Sequence, residues 1–217
     1  KITKEISGLP DGEVPEDLIF TVTGPNDYEE EIEFADFDNG EYTIDNIPVG
    51  DYTVTESGTD YPDYTLDADT ETEKDATVEK GETAEVEFSN NYTQDVGKLT
   101  ITKTVSGLPE DVATETLSFT VTGPNDYEET FAYTDYFKNG SYTIENLPVG
   151  DYTVTENNAD VEGYGLTATG DINATKAVTK DQDTSFAITN TYTANQITIT
   201  IEKGWEDSEN KDENQAN

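Results

Sequence analysis

The stretch GDYTVTE occupies residues 50–56 and recurs, letter for letter, at 150–156. Successive side chains of a β-strand point to opposite faces. Tyr52, Val54 and Glu56 therefore share one face, and Thr53 and Thr55 share the other. The same holds for Tyr152, Val154 and Glu156. In both copies a carboxylate ends an apolar face where Val or Ile would be expected.

The repetition extends outward on both sides. TVTGPNDYEE at 21–30 returns at 120–129, and NGEYTIDNIPVGDYTVTE at 39–56 returns as NGSYTIENLPVGDYTVTE at 139–156. KITKEISGLP matches LTITKTVSGLP, which aligns Lys4 with Lys103, and VEFSNNYT matches FAITNTYT, which aligns Asn90 with Asn190. The offset grows from 99 to 100 residues, so one residue is inserted between Tyr127 and Asn139. A period of about one hundred residues is the size of an independent domain. Short alternating runs such as LIFTVTG, DYTVTE and AEVEFSNNY are separated by Gly, Pro, Asn and Asp, and no segment has a helical period. Seven or eight short strands per repeat predict an all-β fold of tandem two-sheet sandwiches. The expected domains are 1–95, 96–195 and a truncated third repeat at 196–217. Ile197, Ile199, Ile201, Lys203 and Trp205 would lie in one phase of that repeat's first strand, followed by an acidic loop.

Composition narrows the chemistry. The chain has no Cys and no His among 217 residues, which removes disulfides, thiolate chemistry and the commonest general base and metal ligand. Without Met it does not begin at a natural start, so a fragment or processed product is expected. No signal peptide, apolar span or lipidation motif is visible. Forty-nine acidic residues against 11 basic ones give a formal charge of −38. That charge excludes nucleic acid as a partner and disfavours anionic membranes. It also keeps a protein soluble and monomeric.

The phase argument applies to the terminal strands as well. Ile2, Lys4 and Ile6 share a face, as do Ile101, Lys103 and Val105. Val86, Phe88, Asn90 and Tyr92 share a face, as do Phe186, Ile188, Asn190 and Tyr192. Each repeat thus turns one Lys, one Glu and one Asn inward. Three polar groups in a small core are costly unless they meet. Burial lowers the pKa of an ammonium and raises that of a carboxyl, which favours a neutral amine beside a neutral acid. A neutral Lys amine is a nucleophile, an Asn side-chain carbonyl is its electrophile, and a carboxyl can carry the proton to the departing nitrogen. The product would be a Lys–Asn isopeptide bond with loss of ammonia. A buried Lys–Glu ion pair with Asn as hydrogen-bond partner fits the same spacing. So does a Lys4 that runs out along the sheet edge beside a solvated Glu56.

TKTVSG with its Lys, NLPVGDYTVTE with its Glu and ITNTY with its Asn resemble the Cna B-type domains of Gram-positive surface adhesins and pilins. The resemblance covers essentially the whole chain. It implies a prealbumin-like, inverse immunoglobulin sandwich. Its first and last strands are neighbours, joined by an isopeptide bond with a Glu on an adjacent strand as catalyst. Carried over by position, Lys4, Glu56 and Asn90 form one set, and Lys103, Glu156 and Asn190 the other. Asn91 rivals Asn90 in sequence but lies in the outward phase. Lys203 matches the family's Lys, and no isopeptide bond is expected there because its partners lie outside the chain. No sortase-acceptor motif and no LPxTG-like sorting signal is seen, which counts against a pilus backbone.

The resemblance implies a stalk of a secreted, wall-anchored bacterial surface protein, with the rest of that protein as its partner. In a pilin subunit or binding module, a host extracellular protein or glycan would be the partner, contacted through Tyr28, Tyr61, Tyr127 or Tyr164. Calcium held by Asp67, Asp69, Glu71 and Glu73, or by the tail from Asp207 to Glu213, is a third reading. Neither cluster fits the EF-hand loop, so no metal and no cofactor is expected. No turnover of an external substrate is expected either.

Overall fold

The computed structural model describes residues 1–109 and 114–204. The first repeat contributes eight strands: β1 (Ile2–Ser7), β2 (Ile19–Gly24), β3 (Tyr28–Glu33), β4 (Glu41–Tyr42), β5 (Gly50–Ser57), β6 (Tyr64–Leu66), β7 (Glu73–Val78) and β8 (Val86–Gln94). They form two four-stranded sheets, ordered β4-β1-β8-β6 and β3-β2-β5-β7. The second repeat contributes β9 (Val96–Ser106), β10 (Ser118–Thr122), β11 (Glu128–Ala132), β12 (Ser141–Pro148), β13 (Gly150–Asn157), β14 (Tyr164–Gly170), β15 (Ala174–Val178) and β16 (Asp183–Ala194). Its sheets run β12-β9-β16-β14 and β11-β10-β13-β15. The protein is a tandem pair of all-β sandwiches.

Each sandwich closes by pairing its first strand with its last, in parallel. Ile2 lies opposite Val86, Lys4 opposite Phe88 and Ile6 opposite Asn90. In the second repeat Lys103 lies opposite Ile188 and Val105 opposite Asn190. Lys and Asn are thus diagonal neighbours on one inward face. The cores are made by the expected phases, with Phe20, Val54 and Phe88 buried in one and Phe119, Val154 and Phe186 in the other.

Local chemistry sets the approach to the first strand. Asn39 and Gly40 both take positive φ, 52° and 78°, as do Asn139 and Gly140, 54° and 78°. Asn tolerates this region and Gly adopts it freely. The turn then offers its Gly carbonyl to the backbone amide of the Lys, at 2.8 Å for Lys4 and 2.7 Å for Lys103. The inserted residue of the second repeat has a structural trace. Phe34–Asp36 is a 3-10 turn in which the Phe37 amide bonds to the Phe34 carbonyl, whereas Tyr133–Tyr136 is one α-turn in which the Phe137 amide reaches back to Tyr133. Phe37 and Phe137 emerge in equivalent places, against Phe20 and Phe119.

Asp95 alone separates β8 from β9, and it is held from both sides. Its amide bonds to the Asp63 carbonyl (2.8 Å), and its own carbonyl receives the Val149 amide (3.1 Å). Its carboxylate accepts from the Thr65 hydroxyl (2.6 Å) and pairs with Lys180 (2.9 Å). These two partners hold the Asp95 carboxyl below its usual range.

The stretch expected to open a third repeat forms no strand over residues 195–204, and Ile197, Ile199 and Ile201 are exposed. A lone strand has no ladder partner and no facing sheet, so alternation alone does not order it. Trp205, the acidic loop and the tail from Asp207 to Glu213 lie outside the described residues.

Candidate functional site

Two buried polar clusters interrupt the apolar cores. In the first repeat, Lys4 projects from β1, Asn90 from β8 and Glu56 from β5. Lys4 Nζ stands 2.6 Å from Glu56 Oε1, with both side chains fully buried. Asn90 Nδ2 donates to the same Oε1 at 3.1 Å. The second repeat reproduces this arrangement. Lys103 Nζ stands 2.6 Å from Glu156 Oε1, and Asn190 Nδ2 donates to that oxygen at 3.1 Å. One carboxylate oxygen therefore touches both the amine and the amide nitrogen.

The resemblance places the Glu on an adjacent strand, and the structure places it differently. The neighbours of β1 within its sheet are β4 and β8; β5 and β13 belong to the facing sheets. Glu56 and Glu156 reach the Lys–Asn pair across the core, beside Phe20 and Phe119. Strand phase tells a side chain to point inward but does not say from which sheet.

The clusters are short of hydrogen bonds. Asn90 Oδ1, Asn190 Oδ1 and Glu56 Oε2 are buried with no donor. Lys4 Nζ and Lys103 Nζ contact the carboxylate as ion pairs but lie out of line for a directed hydrogen bond. Each unsatisfied buried polar group costs about 1–3 kcal/mol. Burial pulls the pKa of Lys4 and Lys103 below the usual 10.5, and the neighbouring Glu only partly opposes it. The arrangement thus holds an amine biased toward its neutral, nucleophilic form beside a carboxyl that touches a primary amide.

Sequence reasoning missed one component. Tyr92 and Tyr192 extend the inward phase from Asn90 and Asn190, and both are buried. The Tyr192 hydroxyl donates to the Ala159 carbonyl at 2.5 Å and lies 3.4 Å from Asn190 Nδ2. Tyr92 donates to the Thr59 carbonyl at 2.6 Å. The signal was present in the period-two spacing, but an aromatic there reads as core.

The remaining candidates lie elsewhere. Asn91 points outward, where it accepts from Ser7 Oγ (2.9 Å) and donates to Asp67 (2.6 Å). Lys203 is exposed. Tyr28, Tyr61, Tyr127 and Tyr164 are half-buried rather than exposed. Tyr28 packs edge-on against Tyr52, and Tyr127 against Tyr152. Glu71 is paired with Lys74, and among the described residues no group of three or more carboxylates is arranged to hold a metal ion. Among the described residues no helix is long and apolar enough to cross a membrane.

One family model, described as "Domain of unknown function (DUF5979)", matches residues 1–93 and again 99–193. No curated protein matches. Among solved structures, the C-terminal fragment of the pilus adhesin SpaC from Lactobacillus rhamnosus GG aligns with a TM-score of 0.50 at 12% identity, over 91% of this chain and 98% of that one. The Bacillus anthracis TIE protein aligns at 23% identity with a TM-score of 0.48; the match covers 88% of this chain but only 33% of that one. The N168A mutant of the major pilin from Streptococcus pyogenes aligns at 19% identity with a TM-score of 0.42, over 88% and 96% of the two chains. At 12% identity and a TM-score of 0.50, the likeness to the SpaC fragment is one of fold alone.

Proposed function

The chain belongs to the DUF5979 family in two tandem copies, and on that premise we propose that it is the stalk of a Gram-positive surface adhesin, stabilised by self-formed Lys–Asn isopeptide bonds. Residues 1–95 and 96–195 are its repeats, and 196–217 open a third. The observation that carries the reading is the twofold occurrence of a buried amine and a buried amide gathered on one carboxylate oxygen, with amine and amide on the first and last strands. The pilus-adhesin fragment of the same fold supports a structural role at the cell surface within a larger protein, and anchoring to the wall is part of our proposal.

The reaction balances without a co-reactant. A proton passes from the Lys ammonium to the Glu carboxylate, leaving a neutral pair. The amine Nζ attacks the Asn Cγ, a C–N bond forms, and the carbonyl π pair moves to Oδ1. Glu56 or Glu156 protonates Nδ2, the Oδ1 pair re-forms the carbonyl as the old C–N bond breaks, and ammonia leaves. The proton lost by the attacking nitrogen returns to the carboxylate. Contact between the groups supplies the effective concentration that ordinary amide exchange lacks. The product amide removes the buried charge of the Lys and with it the unsatisfied ammonium. Glu56 and Glu156 are the catalytic residues, and Lys4, Asn90, Lys103 and Asn190 are the crosslinked ones. This is one turnover per repeat and leaves the protein a structural one.

Intact mass under denaturing conditions tests the reading. Two closed repeats lower the mass by two ammonia molecules, about 17 Da each, and Glu56→Ala or Glu156→Ala each restores one. A full-length mass with no deficit overturns the covalent stalk and leaves two buried ion pairs.

A further inference from the structure

Each reactive Asn has a second neighbour that the mechanism has not used. Asn190 Nδ2 carries two protons. One goes to Glu156 Oε1 at 3.1 Å, and the other faces the Tyr192 hydroxyl oxygen at 3.4 Å. That hydroxyl has a single proton, committed to the Ala159 carbonyl at 2.5 Å. Toward Asn190 it can therefore act only as an acceptor. The first repeat has the same parts: the Tyr92 proton goes to the Thr59 carbonyl at 2.6 Å, and Tyr92 is buried two residues beyond Asn90 on the same inward face. Thr59 and Ala159 each lie three residues beyond the Glu, where β5 and β13 leave the sheet.

From this geometry we propose that Tyr92 and Tyr192 are positioning residues that fix which way round the Asn90 and Asn190 amides sit for the self-reaction. The inference rests on the isopeptide reading above and names a further part of the same site. An amide has two ends of opposite character, and the wrong orientation is electrostatically disfavoured while the Glu is ionised. Before the Lys proton has been transferred, a flipped Asn190 would set Oδ1 against an ionised Glu156 oxygen and against a tyrosine oxygen with no proton to give. In the orientation seen, the nitrogen that must leave as ammonia is held against the carboxyl that protonates it. Oδ1, which takes up negative charge, is left without a partner. The tyrosine also ties the exit of the Glu strand to the Asn strand, so one hydroxyl sets both the amide and its distance from the acid. Burial raises the pKa of both phenols above the usual 10.0, so the hydroxyl stays protonated and keeps its donor role.

The test is a time course of ammonia loss in newly synthesised Tyr192→Phe chain. It is quenched at intervals in denaturing acid and scored only on molecules whose second repeat resists protease before the quench. Phe keeps the ring in the core and removes only the hydroxyl. The first repeat of the same molecule is the internal clock. The expected result is one ammonia lost at the parent rate and the second at least tenfold more slowly. Tyr92→Phe should reverse the assignment of fast and slow repeats. Two losses at the parent rate from the protease-resistant Tyr192→Phe chain would overturn the inference, since a tyrosine that only supports the fold lowers the melting temperature without slowing the reaction of folded molecules. If the parent chain itself loses no ammonia, it is the isopeptide reading that fails. The two failures are therefore distinguishable.

Discussion

Asn190→Ala separates a crosslinked domain from an ion-paired one by the size of its effect. The substitution removes the electrophile and leaves the Lys103–Glu156 pair in place. If the second repeat were held only by non-covalent contacts, the change would cost the hydrogen bond to Glu156, a long one of 3.4 Å to Tyr192 and a small volume, about 1–2 kcal/mol. If Lys103 and Asn190 are bonded, the tie closes a loop of about 87 residues (190 − 103), and chain-entropy arguments assign such a closure about 4.6 kcal/mol at 25 °C. The two effects together reach about 6 kcal/mol. For a domain of this size each kcal/mol moves the melting temperature by about 4–8 °C. A fall of at least 20 °C is expected for the second repeat, against about 5–15 °C without a bond. Calorimetry of the full chain reads this directly, because the first repeat melts as an unaltered reference. A fall below about 15 °C in the second transition, with parent and variant showing no ammonia deficit, would refute the reasoning.

Three further outcomes follow from the geometry. In the Asn90→Ala/Asn190→Ala chain both lysines still titrate, with folded pKa values below 10.5 because of burial. The unfolded state then binds more protons than the folded one between the lowered pKa and 10.5, so stability should rise with pH as 10.5 is approached from below, relative to the parent chain. Chemical denaturation at several pH values checks this, and a flat difference would contradict burial of the amines. Gly107→Ala should destabilise the second repeat by more than about 2 kcal/mol, because a Cβ there would lie 2.0 Å from the Tyr192 carbonyl oxygen at φ +84°; a two-transition melt gives the value. Asp95→Ala should change the melting of either repeat by less than about 1 kcal/mol, since its ion pair is a surface one. It should nonetheless broaden the distribution of distances between labels placed on the two repeats, and an unchanged distribution would show that the backbone bonds of Asp95 suffice.

Much of this was legible because β-structure has an integer period. A residue two positions from a known core residue shares its face, so Lys4, Glu56 and Asn90 could be turned inward from the sequence alone, and Asn91 outward. The period carries no information on which sheet a strand joins; the resemblance implied a Glu on an adjacent strand, and the structure has it across the core. It also does not report what an inward tyrosine does with its hydroxyl. At 196–204, Ile197, Ile199 and Ile201 have the pattern of a strand, yet they are exposed and form no strand among the described residues. The Lys180–Asp95 pair was not legible, because a contact across the junction depends on how two repeats meet and not on either repeat's own pattern.

The parallel pairing of first and last strands has a kinetic consequence. Its partners lie 84 residues apart from Ile2 to Val86, and 85 from Lys98 to Asp183. Contacts of such high order form late, after the intervening loop has been closed by other structure. The amine, acid and amide therefore cannot meet in a nascent or half-folded repeat. They meet only when the closing strand has docked in register, since a one-residue slip would turn Asn90 outward and put Asn91 or Ser89 in its place. A chain emerging from the N-terminal end completes the first repeat before the second exists. Until closure, each repeat leaves a gap beside β1 or β9 that the closing strand of another copy could enter, and a charge of −38 on every copy works against that exchange.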